Sequence, residues 1–228
     1  MSEASIGMVV TIDGPAGSGK SSVAQRLAKR LGWQVLDTGA MYRAAALLAL
    51  RRGIDPADGE RVATAVRRAE IGFDWSADPP RVLLDGEPVD EAIRTPEATR
   101  AASQVARSPA VRAILVEAQR RIAAGHPRLI SEGRDQGSVV FPDAMVRFFL
   151  DAPVEERARR RALQLAASGV LVDEDEIREA IRARDELDRT RSVGPLVKPR
   201  DAVTVDSATC SMEHVVDRLE AEVRSQLS

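Results

Sequence analysis

The chain alternates short apolar runs with longer stretches in which apolar residues recur every three or four positions. Ile6–Ile12 (IGMVVTI) is short, apolar and β-branched and stops at Asp13 and a glycine-rich turn, which predicts a buried strand followed by a break. Val23, Leu27 and Leu31 then recur at i, i+4 and i+8, the spacing of a helix with one buried face, and Gly32 closes it. Trp33–Leu36 reads as a second strand and the Ala- and Leu-rich stretch Ala40–Arg52 as a second helix. Strand, helix, strand, helix at this spacing implies right-handed βαβ units and a parallel sheet.

The middle has a different texture. Arg61–Glu70 is helical in pattern, but Ile71–Asp90 sets Gly72, Pro79, Pro80, Gly86 and Pro88 between the short apolar pieces Ile71–Phe73 and Val82–Leu84. Small antiparallel strands and turns follow from that pattern, as an insert of about 70–96 in the α/β frame. Helical texture returns at Pro96–Ala124; Leu129–Ile130 is a brief apolar run; Met145–Leu150 and Ala202–Val205 read as strands. Val154–Ala167, Glu174–Arg191 and Met212–Leu227 read as helices.

Composition narrows the function classes. At 228 residues, 44% hydrophobic and 30% charged, the chain is a globular domain or a core carrying an inserted subdomain. Its 35 acidic residues offset 33 basic ones, and only seven residues are aromatic, which argues against a nucleic-acid-binding module. Three of the basic residues are Lys and 30 are Arg. The single Cys210 excludes an intrachain disulfide and a CxxC metal cluster, and His126 and His214 lie far apart, so a zinc site or a Cys–His nucleophile pair is disfavoured. The longest wholly apolar run, Ala44–Leu50, is far short of the ~20 residues that span a bilayer. Met1–Gly7 carries Glu3 and no basic residue, unlike a signal peptide. A soluble, cytoplasmic chain with no nucleic-acid or membrane partner is expected.

The most specific signal is Gly14-Pro15-Ala16-Gly17-Ser18-Gly19-Lys20-Ser21, which matches GxxxxGKS/T between a strand and a helix. Glycines let backbone N–H groups turn inward around phosphate oxygens. Lys20 reaches the outer phosphates as a point charge, Ser21 can hold Mg²⁺, and the helix that follows aims its N-terminal dipole at the same anion. Gly14, Pro15, Ala16, Gly17, Ser18, Gly19, Lys20, Ser21 and Ser22 are thus candidate ATP-binding residues. No guanine-reading NKxD segment is present, and the arginine-rich second half suits phosphoryl transfer, whose spread negative charge Arg and Lys clamps stabilise.

Four further segments carry a family resemblance. They are Asp37-Thr38-Gly39-Ala40-Met41-Tyr42-Arg43, Ala101–Ala106, Glu132–Ala144, and Arg184–Arg191 followed by Pro195-Leu196. With the phosphate loop, and in this order, they resemble the bacterial cytidylate kinases from about Ile6 to the C-terminus. The resemblance implies a P-loop NTPase fold of the α/β class: a five-stranded parallel sheet flanked by helices, with a monophosphate-binding insert and a lid. It also implies transfer of phosphate from Mg-ATP to CMP and dCMP. On these grounds 1–69 and 97–228 are expected to form the core, 70–96 the β-rich insert, and about 154–175 the lid. Oligomeric state is not written in the sequence, and a monomer is expected only by likeness to other small kinases.

Residue by residue, the resemblance implies acceptor-phosphate binding by Arg43, with Thr38 supplying a hydroxyl to the same phosphate or capping the helix it precedes. Without the motif, Arg43 would read as part of a solvated helix face. Ser103, Arg112 and Asp135 match cytosine-reading residues: a carboxylate accepts from N4, and Arg donates to N3 and O2, whereas uracil would present a lone pair to the carboxylate. Asp135 could alternatively pair with Arg134. Arg134 and Arg191 match phosphate-binding arginines and, with Lys20, are the candidate catalytic residues. Arg184 and Asp188 match pentose-binding residues, and Arg184, Asp188 and Arg191 lie at i, i+4 and i+7, one helix face, although Arg184–Asp188 also reads as a surface ion pair. Of the lid cluster Arg157, Arg159, Arg160 and Arg161, the pair Arg157 and Arg161 shares a face and is expected on the donor phosphates. Glu132 stands where the family often has Asp and is carried as a carboxylate behind Mg²⁺. Asp13 caps the turn or orients Lys20, and Asp151, Cys210 and exposed His214 read as structural. The alternatives are another small P-loop kinase, with UMP or a shikimate-like acceptor, and a non-catalytic nucleotide-binding switch.

Overall fold

The computed structural model describes residues 7–227 apart from 168 and 171. The elements run β1 (Met8–Asp13), α1 (Lys20–Leu31), β2 (Gln34–Asp37), α2 (Thr38–Arg51), α3 (Gly59–Arg67), β3 (Ile71–Asp74), β4 (Arg81–Leu84) and β5 (Glu87–Pro88). They continue α4 (Pro96–Val105), α5 (Pro109–Ala124), β6 (Arg128–Gly133), β7 (Val146–Asp151), α6 (Val154–Ala167), α7 (Glu174–Thr190), β8 (Val203–Asp206) and α8 (Met212–Ser225). A five-stranded sheet has the order β2-β6-β1-β7-β8, with β1–β7 and β7–β8 parallel, as the alternating pattern implied. The first strand begins at Met8; Ile6, expected within it, lies outside the described residues.

The chain divides into two compact units, one of residues 34–129 with Gly7, the other of residues 8–33 and 130–227. Sequence texture instead set its boundaries at 69/70 and 96/97. In the second unit β1 is buried along all but its first residue, which is why it reads as an unbroken apolar run rather than an alternation. Ile12, Leu27, Phe148, Leu150 and Leu219 are almost fully enclosed there. In the first unit α2 packs on α3, α4 and β4, and α3 on α5; the small side chains Ala44, Ala45, Ala46 and Ala49 are buried completely and let these helices approach closely. Beside them β3, β4 and β5 form the antiparallel sheet expected of the insert. Its β4–β5 turn is Asp85-Gly86, both at positive φ (51° and 80°), the conformation a two-residue hairpin requires.

Three local expectations differ from the structure. The helical stretch 96–124 is two helices, because Ser108 and Pro109 start a new one: the Ser108 hydroxyl accepts from the Val111 N–H, and Pro109 fills the first turn. β6 extends beyond Leu129–Ile130 through Ser131 and Glu132 to Gly133. Arg191 is not on a helix face with Arg184 and Asp188, since α7 ends at Thr190 and Arg191 is extended (φ −63°, ψ 141°).

Candidate functional site

In the second unit, β1 delivers the chain into the phosphate loop at its C-terminal end. Gly14, Gly17 and Gly19 have φ of 150°, 79° and 91°, so the loop follows a path that side chains with a Cβ resist. At Gly14 a Cβ would also lie 2.0 Å from the Leu150 carbonyl oxygen. α1 starts at Lys20 with no side-chain cap and no acidic residue in its first turn, so its open N–H groups and positive dipole end face the loop. Lys20 is buried at 5% exposure and donates to the Pro15 carbonyl (2.7 Å) and the Ser18 hydroxyl (3.3 Å). Burial, and then the nearby charge of Arg134, push its pKa well below the usual lysine value.

Around this loop stands a set of paired charges. The Ser21 hydroxyl donates to Glu132 (2.6 Å). Arg134 donates to Asp188 (2.8 Å) and to the Gly133 carbonyl (3.2 Å). Arg191 approaches Asp135 at 3.6 Å and Asp188 at 3.8 Å, and donates to the Gly194 carbonyl. Burial drives the Asp188 pKa upward, but the charges of Arg134, Arg184 and Arg191 outweigh it and hold the carboxyl below its ordinary value. Lys20, Ser21, Arg134, Asp135, Arg184, Asp188 and Arg191, singled out in the sequence, thus belong to one cluster with Glu132. Although Arg191 leaves the helix, its guanidinium still meets Asp188. Arg134 takes Asp188 as its partner, and Asp135 stands beside Arg191.

Asp13 accepts from the N–H groups of Gln136 (2.8 Å) and Gly137 (2.7 Å), fixing the start of the wide helical turn Gln136–Val140 immediately after Arg134 and Asp135. Its hydrogen-bond partners thus lie far along the chain, not in the turn that it directly precedes, while its charge acts on Lys20. Burial lifts its pKa to about 6, against the lowering effect of those two hydrogen bonds. Ser22 is exposed on α1.

The two lid arginines part company. Arg161 is exposed and donates to Gln164 (2.7 Å). Arg157 is buried and turned towards the phosphate loop, donating to the carbonyls of Ala152 and Ala16 and pairing with Asp185. Sequence reasoning passed over Asp185 and Ser207. Asp185 sits inside the quoted Arg184–Arg191 segment, where alternating charge hides which carboxylate is buried. The Ser207 hydroxyl donates to the Ser18 carbonyl (2.9 Å); a lone serine after the last strand gave no signal.

The first unit carries the remaining candidates. Asp37 caps α2 by accepting from the Ala40 N–H (2.8 Å), and its other oxygen takes Arg43 (2.9 Å). The cap is therefore Asp37, not Thr38, which is the first helical residue and is buried. Gly39 makes this possible, since a Cβ there would stand 3.1 Å from both the Arg43 guanidinium and the Asp37 carboxylate. Arg112 on α5 is 1% exposed and lies over the Tyr42 ring, 5.6 Å from its centroid. Ser103 is half-buried on α4. Asp151 accepts from the Ala152 N–H, Cys210 is half-buried, and His214 is exposed, all consistent with structural roles. No helix among the described residues is long and apolar enough to cross a membrane.

Comparison with known proteins agrees with this geometry. A family model described as cytidylate kinase matches residues 10–225. A cytidylate kinase of Pelotomaculum thermopropionicum is 48% identical over 94% of this chain and 95% of its own length. One of Mycolicibacterium paratuberculosis is 47% identical over 96% of each chain. Among solved structures, an uncharacterized protein from Eubacterium ventriosum aligns with a TM-score of 0.53 over 96% of this chain and 99% of that one, at 12% identity, a likeness of fold alone.

Proposed function

Because the chain belongs to the cytidylate kinase family, a family of phosphotransferases, we propose that it transfers the terminal phosphoryl group of Mg-ATP to CMP and dCMP, yielding CDP and dCDP. The observation that carries this reading is the cluster of Lys20, Arg134, Arg184 and Arg191 beside a phosphate loop, with Lys20 held by the loop itself and Arg134 and Arg191 paired with carboxylates.

An oxygen of the acceptor phosphate attacks the terminal phosphorus of ATP, and the bond from that phosphorus to the bridging oxygen breaks, releasing ADP. The attacking oxygen is already ionised at neutral pH, so no general base is required. The work is positioning and charge neutralisation. Lys20 and the loop amides hold the donor; Arg134 and Arg191 neutralise charge between donor and acceptor; Arg184 and Asp188 hold the pentose. Arg43 and Thr38 take the acceptor phosphate, while Ser103, Arg112 and Asp135 read cytosine. Arg161 meets the donor phosphates from the lid.

The Ser21 hydroxyl would hold Mg²⁺, and the Glu132 carboxylate, 2.6 Å from that hydroxyl, would stand behind the ion and orient a water on it. Mg²⁺, when bound, would supply neutralising charge to the donor phosphates. The reaction places the chain in pyrimidine nucleotide recycling, acting as a cytoplasmic monomer on two small nucleotides.

ADP release from Mg-ATP, measured with CMP, dCMP, UMP, AMP, GMP and shikimate, tests this. CMP-dependent turnover exceeding that with UMP is expected, with the margin shrinking in Asp135→Ala. A preference for UMP or shikimate would replace the acceptor. ATP binding without acceptor-stimulated turnover would leave a nucleotide-binding switch.

A further inference from the structure

The tip of the phosphate loop is held from outside the loop. The Ala16 N–H donates to Oδ1 of Asp185 (3.3 Å), and the Ala16 carbonyl accepts from Nη1 of Arg157 (2.9 Å). The two side chains pair with each other at 2.7 Å, and only 5% of the Arg157 side chain and 4% of the Asp185 side chain are exposed. Arg157 Nε donates to the Ala152 carbonyl (2.9 Å). Contact also crosses at the next residue, where a Cβ on Gly17 would stand 3.3 Å from Cβ of Arg157. Arg157 lies at the root of α6 and Asp185 on α7. Those helices are joined by Ala158, Ile177 and Ile181, with Val154, Ala162 and Leu165 packed against them. One ion pair therefore links the loop tip to both helices.

A buried ion pair is poor evidence of stabilisation, because desolvation offsets the attraction and an apolar pair would fill the same space. An apolar pair, however, could not hold the N–H and the C=O of one loop residue. Phosphate is cradled only if the loop's peptide groups keep their orientation. We propose that Arg157 and Asp185 are positioning residues: they fix the Ala16–Gly17 backbone and tie it to the α6–α7 pair, so that donor binding depends on two side chains that do not touch the donor. This rests on ATP occupying the loop. It differs from a direct phosphate contact by Arg157, which the lid cluster suggested, and the two make opposite predictions for Asp185.

The test compares wild type, Asp185→Asn, Arg157→Lys and the double variant Arg157→Met/Asp185→Leu. The measurements are Mg-ATP affinity, the KM values for ATP and CMP, thermal midpoints as a check on folding, and amide hydrogen exchange at Ala16. Asp185→Asn and Arg157→Lys should each weaken ATP binding about 10- to 100-fold, the scale on which small misplacements act. The KM for CMP should stay near wild type. The double variant should lose little more than either single one, because the two act as a unit, and its Ala16 amide should exchange faster. If Arg157 binds phosphate directly, Asp185→Asn frees the guanidinium and ATP affinity holds or rises; that result overturns the proposal, as does unchanged Ala16 exchange in the folded double variant. Wild type that fails to bind Mg-ATP defeats the donor reading and this proposal together, whereas wild type that binds beside variants that bind equally well defeats this proposal alone.

Discussion

Replacing Asp188 with Asn removes one charge and almost no volume from the centre of the cationic cluster. Asp188 has 10% of its side chain exposed and faces Arg134 at 2.8 Å, with 18% of that side chain exposed, and Arg191 at 3.8 Å, with 4% exposed. Breaking a buried pair by removing one partner costs about 3–5 kcal/mol, because a buried charge loses its compensation. The lower end applies here, since Arg134 keeps the Gly133 carbonyl and Arg191 keeps Asp135. About 3 kcal/mol corresponds to a fall of about 6–12 °C in the midpoint of a domain this size. The pH dependence identifies the cause. The folded-state pKa of Asp188 lies below the ordinary 3.8, so its contribution is complete above that value and disappears as pH falls through the folded pKa. Calorimetry of wild type and Asp188→Asn from neutral to strongly acidic pH should show a gap that is widest near neutrality and closes in acid. A gap that is absent at neutral pH, or that persists unchanged in acid, would refute the charge argument and leave only packing.

Asp13 should give the opposite slope. Its folded pKa of about 6 lies above 3.8, so its contribution is greatest below the unfolded value and declines as pH rises through 6. The stability of wild type relative to Asp13→Asn should fall by up to about 3 kcal/mol across that window, followed by urea unfolding; a difference that stays level or grows refutes burial as the dominant cause. Glycine substitutions separate steric need from turn preference. Gly14→Ala places a Cβ 2.0 Å from the Leu150 carbonyl and should cost at least about 3 kcal/mol. Gly32→Ala, at φ +68° with nothing within 4 Å, should cost only about 1–2 kcal/mol by the same unfolding assay. Equal losses would show that the close approach at Gly14 is not what excludes a side chain.

The sequence displayed its elements where one physical signal ruled. β1, α1, β7 and α6 have unbroken apolar runs or clear helical spacing, and they fall within a residue or two of expectation. It hid features set by contacts distant in the chain. Asp13 meets Gln136 and Gly137, and Asp185 meets Ala16, more than 100 positions away in each case, and neither pairing leaves a local pattern. The break at Ser108-Pro109 was locally readable, as a cap followed by proline, but helical composition on both sides masked it. Motif resemblance brought Arg134, Asp135, Arg184, Asp188 and Arg191 forward together, while spacing alone misread Arg191 as helical. A guanidinium long enough to reach back from an extended residue makes that error harmless to the site.

The distribution of charge explains how so cationic a site occurs in a chain with a net charge of −2. Bare arginines around an empty phosphate loop would repel one another and resist burial. Here Arg134 is held by Asp188, Arg157 by Asp185, and Arg191 stands between Asp135 and Asp188. Each carboxylate reduces the repulsion and fixes a rotamer before any nucleotide arrives, so less side-chain ordering remains when it binds. On the proposed reading, Asp135 and Asp188 then have a second use, towards cytosine and pentose. A carboxylate that holds a phosphate-binding arginine and also contacts the nucleoside ties the choice of acceptor to the placement of the charges that act on it. Loss of Asp135 should for that reason lower turnover with CMP as well as the margin over UMP, whereas loss of a pure base reader would lower the margin alone.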